Sequence, residues 1–170
     1  MSNQKNKYMY KNVKTKRSSS EALESFVKEF SKMTNIPFDE FDNGYNERVS
    51  ETLIYQKNNK FKKFKENRFG EFYKYENDIY KLKFCALNEN LVELYWIEVY
   101  NNNKGIGTKL MNDILDAADE VNVEIKLIPI PLYSFNDDLE SKIRLRNWYK
   151  SFGFRSKSTL TPAMYYSPNK

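Results

Sequence analysis

Apolar residues along this chain change their spacing several times, and each change marks an element. From Leu23 they recur at Phe26, Val27, Phe30 and Met33, which are the i, i+3, i+4, i+7 and i+10 positions of one helical face. Ser18 and Glu21 stand before them at capping-box spacing, so the pattern predicts a helix that starts near Ser18 and ends before Asn35-Ile36-Pro37. Residues 37–59 read as a loop with acids and a glycine, leading into a short second helix near 46–56. The stretch KFKKFKENRFG, 60–70, interleaves Phe61, Phe64 and Phe69 with cations. Two readings stay open for it: a helix or loop with its phenylalanines toward the core, or a stacking platform for single-stranded nucleic acid.

From Glu71 the period becomes strand-like. Turn signals at Asn77-Asp78 and Asn88-Glu89-Asn90 divide β-branched and aromatic runs, predicting an antiparallel meander of strands at about 72–76, 79–87 and 91–100. Leu110, Met111, Ile114, Leu115 and Ala118 then share one face of a helix that begins near Thr108. VEIKLIPIPL alternates as a strand until Pro129 and Pro131 end it, since proline has no N–H for a sheet ladder. The last 32 residues read as a helix, a turn at Gly153 and two short strands. The whole is one mixed α/β domain over 18–170, with a helical portion at 18–70, a core at 71–168 and a basic, solvated arm at 1–17.

Composition narrows the chemistry. A chain of 170 residues is long enough to bury about two thirds of its unfolded surface. No run approaches the eighteen apolar residues of a membrane span, and the N-terminus has no apolar signal segment, so the sequence reads as that of a cytoplasmic protein. There is no histidine and one cysteine, Cys85. That combination removes His-activated nucleophiles, HExxH zinc sites and any ordinary Cys/His zinc site, and no metal is expected. Chemistry must therefore rest on carboxylates, tyrosines, backbone amides or a bound co-substrate. The net charge of +5 favours an anionic partner.

Two of the five glycines, Gly105 and Gly107, fall between a strand ending near Tyr100 and the helix beginning near Thr108. The unpaired N–H groups of a helix start bind phosphate, and glycines let a ligand approach the backbone. A Walker A string is absent, and the third position of a dinucleotide-binding Gly-x-Gly-x-x-Gly turn is Leu110. VYNNNKGIGTKLM instead resembles motif A of the GNAT superfamily, the acyl-CoA-dependent N-acetyltransferases. LRNWYKSFGF, 145–154, resembles that family's motif B, and AMYY its last strand.

The resemblance covers about 72–168 and implies a central mixed, mostly antiparallel sheet flanked by helices, with acetyl-CoA lying between splayed fourth and fifth strands. It implies that Lys104, Gly105, Ile106, Gly107, Thr108 and Lys109 supply amides to the pyrophosphate and that Val99 borders the co-substrate. Lys142, where many members have asparagine, meets a CoA phosphate on this reading. Tyr149 matches the family's proton donor to the departing thiolate; a plain core aromatic is its other reading. Glu93, with Glu98 as fallback, matches the general base, the alternative for both being an exposed strand carboxylate. Strand alternation puts these two on opposite sides unless a bulge intervenes. The implied activity is direct attack of a primary amine on acetyl-CoA. The acceptor, a small molecule or a protein lysine or N-terminus, stays open, as does assembly, a homodimer included. A rival reading is a catalytically inactive GNAT-like module that binds nucleic acid or a protein partner through its basic stretches.

Overall fold

A computed structural model of the chain describes residues 18–56, 60–100, 105–131 and 139–169, with 45–56 and 60–69 as backbone alone. Helix α1 (Ser19–Thr34) starts at the capping box: the Ser18 hydroxyl accepts from the Glu21 amide at 3.2 Å, and the Glu21 carboxylate accepts from the Ser18 amide at 2.6 Å. It stops at Asn35, whose φ of 56° is the left-handed conformation that asparagine tolerates. Its predicted face is buried, with Leu23, Phe26, Val27 and Phe30 fully enclosed.

Six strands form one sheet in sequential order: β1 (Asp42–Gln56), β2 (Lys60–Glu76), β3 (Tyr80–Asn88), β4 (Leu91–Val99), β5 (Glu124–Leu127) and β6 (Met164–Tyr166). Every neighbouring pair is antiparallel except β4 and β5, which α2 (Ile106–Val121) joins by a crossover. A third helix, α3 (Leu139–Ser151), precedes the turn at Gly153, where φ is 96°. In place of two closing strands there is β6 and an isolated bridge from Arg155 to Tyr165. This mixed, mostly antiparallel sheet with three helices is the α+β class expected, compatible with a GNAT-like fold.

Phe84 on β3 anchors the core. The rings of Phe26 and Phe30 meet it edge-on at 5.0 and 5.5 Å, tying α1 to the sheet. Leu82 and Phe84 face α1, as do Val92 and Leu94 across the β3–β4 ladder.

The helical portion expected at 18–70 is corrected. Residues 46–56 are strand rather than helix, and 60–70 pair with them residue for residue, from Asn46 opposite Gly70 to Gln56 opposite Lys60. Val49, Thr52, Ile54 and Tyr55 are strand formers, and here cross-strand backbone pairing outweighs the weak helical spacing. The basic arm at 1–17 lies outside the described residues.

Candidate active site

The site begins where two strands part. β4 and β5 pair at only three positions, Leu91 with Glu124, Val92 with Ile125 and Glu93 with Lys126. Beyond them Pro129 and Pro131 cannot donate to a ladder, while β4 continues against β3 as far as Val99. The edge of β4 past Glu93 therefore borders a gap instead of a neighbouring strand.

β4 carries a bulge here, in its ladder with β3. Lys83 stands opposite Trp96 and Phe84 opposite Leu94, so Tyr95 is an extra residue on β4. The shift places Glu93, Trp96 and Glu98 on the sheet face away from α1 and α2, beside Cys85, Lys83 and Lys81. Ile97 and Val99 take the opposite face with Leu82 and Tyr80. An uninterrupted strand would separate the two glutamates by face; the bulge reunites them.

Two cavities fill the gap. One, of about 360 Å³, is lined by Glu93, Trp96, Leu127, Ile128 and Tyr149 among others. The second, of about 460 Å³, is lined by Glu98, Val99, Arg144, Trp148 and Tyr149 among others. Ile97, Ile130 and Tyr149 line both, so the two cavities are neighbours.

Tyr149 is only 6% exposed, with its ring against Trp148 at 5.0 Å and Phe154 at 5.7 Å. Burial pushes its phenol up to about 12, because the low-dielectric surroundings disfavour a phenolate. It is a core aromatic that also forms part of the cavity wall. Glu93 is buried on the first cavity and ion-paired with Lys126 at 3.2 Å. Glu98, on the second, accepts a hydrogen bond from the Trp96 indole at 3.0 Å.

Helix α2 brings its start to the gap. A Cβ on Gly107 would stand 3.8 Å from Val99 Cγ2 and 3.9 Å from Trp148 Cζ2, both on the wall of the larger cavity. The N-cap is Gly105, with φ 94°, no side-chain cap and no acid in the first turn. Helix geometry leaves the amides of 105–108 without intrahelical acceptors. Lys109 departs from expectation: its amide donates to the Gly105 carbonyl at 2.9 Å and its ammonium pairs with Asp113 at 2.6 Å. Lys104 lies outside the described residues.

Lys142 also departs from expectation. It lines a separate cavity of about 510 Å³ between the tail of β5 and α3, and the α3 cation on the gap is Arg144. Sequence reasoning missed Arg144 and Trp148, although with Ser141 and Leu145 they form one helical stripe that the spacing alone displays. Trp96 was invisible, because its face depends on the bulge. Among the described residues no cluster of three or more Cys, Asp or Glu is placed to hold a metal ion, and no helix is long and apolar enough to cross a membrane.

No family model matches the chain, and no curated protein matches it. Among solved structures, a crystal structure of the anti-CRISPR protein AcrVA5 is similar to it at 26% identity and a TM-score of 0.45, over 56% of this chain and 98% of that one.

Proposed function

We propose that this chain transfers an acetyl group from acetyl-CoA to a primary amine by direct attack. The observation that carries the reading is the parting of β4 and β5 after three residue pairs, directly beside the uncapped start of α2. An extended pantetheine can run along the open β4 edge, and a pyrophosphate suits the four amides at 105–108, where the helix dipole is positive. Arg144 on the opposite wall adds a cation. Acetyl-CoA supplies an activated thioester; the protein supplies position and proton traffic.

In that scheme Glu93 or Glu98, directly or through water, takes a proton from the acceptor ammonium. The freed amine nitrogen bonds to the thioester carbonyl carbon and the C–S bond breaks. Tyr149, still neutral at physiological pH, gives its proton to the sulfur. The second proton that the acylated nitrogen must lose passes through water to the phenolate so formed, leaving a neutral amide, the free thiol and one proton to be released from the glutamate. Orientation in the gap carries much of the acceleration.

Thermal unfolding with and without acetyl-CoA tests this. Saturation at a hundred times the dissociation constant adds about 2.7 kcal/mol, a rise of roughly 5–11 °C for a chain of this size. Gly107→Glu retains the fold, since an acid at a helix start is favourable, and abolishes the rise by wedging against Val99 and Trp148 and repelling the pyrophosphate. An absent rise in the parent chain overturns the reading.

A further inference from the structure

Resting on the acetyltransferase reading, we infer that Lys126 is a positioning residue for the general base: it holds Glu93, and not Glu98, as the carboxylate that takes the acceptor's proton. Lys126 lines neither cavity of the gap, so it acts through Glu93.

The two glutamates differ in their surroundings. Glu98 lines the larger cavity with Val99 and Trp148, the residues that stand over Gly107 at the start of α2. That end of the gap suits the pyrophosphate, and a carboxylate there meets like charge. Glu93 lines the other cavity, which Tyr149 also borders and from whose wall Val99 and Trp148 are absent.

A buried acid serves as a base only if something keeps it charged. Glu93 is 6% exposed. Burial of a carboxyl favours the neutral acid, which accepts no proton, whereas a cation in contact favours the carboxylate. Lys126 supplies that cation: its Nζ stands 3.2 Å from Glu93 Oε1, and its side chain is only 22% exposed. The sheet sets this contact, with no loop involved. Glu93 and Lys126 are Cα partners in the last of the three pairs between β4 and β5, immediately before the strands part. Strand pairing thus fixes the carboxylate at the point where the gap opens.

The other cations of the same sheet face have contacts elsewhere. Lys83 lies over the Phe72 and Tyr95 rings at 4.2 and 5.2 Å. Lys81 lies over the Trp96 ring at 5.3 Å and stands 3.9 Å from Glu76. Opposite Glu93 on β3 is Cys85, a buried free thiol that carries no positive charge.

The test compares Lys126→Met, Lys126→Arg, Glu93→Gln, Glu98→Gln and the double variant Lys126→Met/Glu93→Gln, with butylamine as acceptor and thiol release as the assay. Lys126→Met should lower kcat about tenfold or more and leave the acetyl-CoA KM and thermal shift at parent levels. Lys126→Arg should restore most of the rate. In the Glu93→Gln background Lys126→Met should cost nothing further, whereas a merely structural lysine would add its own loss. Glu93→Gln should also cost more than Glu98→Gln. Parent kcat in Lys126→Met, an additive double variant or the reverse order of the two glutamates overturns the inference. Should Lys126→Met not fold, Lys126→Gln, which keeps a donor without the charge, takes its place. A second readout needs no acceptor. In protein whose glutamates carry 13C at Cδ, the Glu93 signal is identified by its loss in Glu93→Gln. It should read as a carboxylate at pH 7 in the parent and in Lys126→Arg, and move toward the acid position in Lys126→Met. An unchanged signal overturns the positioning role. If butylamine yields no thiol, this signal decides. If acetyl-CoA gives no thermal shift, the transferase reading fails separately, and the signal still decides whether Lys126 holds Glu93 charged.

Discussion

At the scale of single residues, the Tyr149 hydroxyl is where structure and chemistry separate. Its ring packs the core, so Tyr149→Phe keeps the packing and removes only the oxygen. We expect unfolding free energy within about 1 kcal/mol of the parent and an unchanged acetyl-CoA shift, with kcat lower by roughly 10²-fold or more. A merely structural tyrosine would leave kcat alone. Its titration gives a second readout. The folded chain holds this proton up to about pH 12, whereas an exposed phenol releases it near 10. Stability is therefore full below pH 10 and falls as pH rises from 10 to 12, by on the order of 3 kcal/mol. Tyr166, raised by burial and by its hydrogen bond to Asp119, adds a loss of the same sign. Denaturant unfolding at pH 9 and 11.5 should show a smaller loss in Tyr149→Phe than in the parent. Tyr149 could be found in the sequence because a motif carried it. The common face of Glu93 and Glu98 could not, because one inserted residue at Tyr95 reverses a period-two pattern without leaving a mark in composition.

At the scale of elements, α1 and α2 show what local physics specifies. Ser18, Glu21 and an apolar stripe define α1 with no outside help, and Ser18→Ala should lower stability by about 1 kcal/mol in denaturant unfolding. The start of α2 separates fold from function in its two glycines. Gly105 needs its positive φ, so Gly105→Ala should cost about 1 kcal/mol or more. Gly107 is helical, and a methyl there meets Val99 and Trp148 at ordinary contact distance. Gly107→Ala should therefore leave stability equal or raise it by about 0.5–1 kcal/mol, while weakening acetyl-CoA in the same thermal titration. Equal weakening of fold and ligand would make Gly107 a packing residue. The β1–β2 pair is the opposite case. Its strands lack a strict alternation, and each is specified by the other, so a reading of either alone defaults to the wrong period.

At the scale of the molecule, charge is where the enzyme and the rival binding module predict different behaviour. The chain carries 28 cations and 23 acids, yet residues 1–17 hold six of the cations and no acid. Residues 18–170 are thus nearly neutral, with 22 cations against 23 acids. Many of their lysines are also engaged internally: Lys74 and Lys81 with Glu76, Lys126 with Glu93, and Lys157 with Glu124. Lys83 lies over the Phe72 ring at 4.2 Å. Counterion release follows the number of phosphates that a protein neutralises, so the enzyme reading predicts little salt-sensitive nucleic-acid binding by 18–170. Removing residues 1–17 leaves the capping box of α1 in place and should leave the acetyl-CoA shift unchanged. Any retention of single-stranded DNA or RNA at low salt should fall to background in the shortened chain, measured by filter binding at 50 and 200 mM salt. Retention that survives the truncation with a steep salt slope would place a nucleic-acid site within 18–170, and the basic run at 60–68 would become the first segment to neutralise.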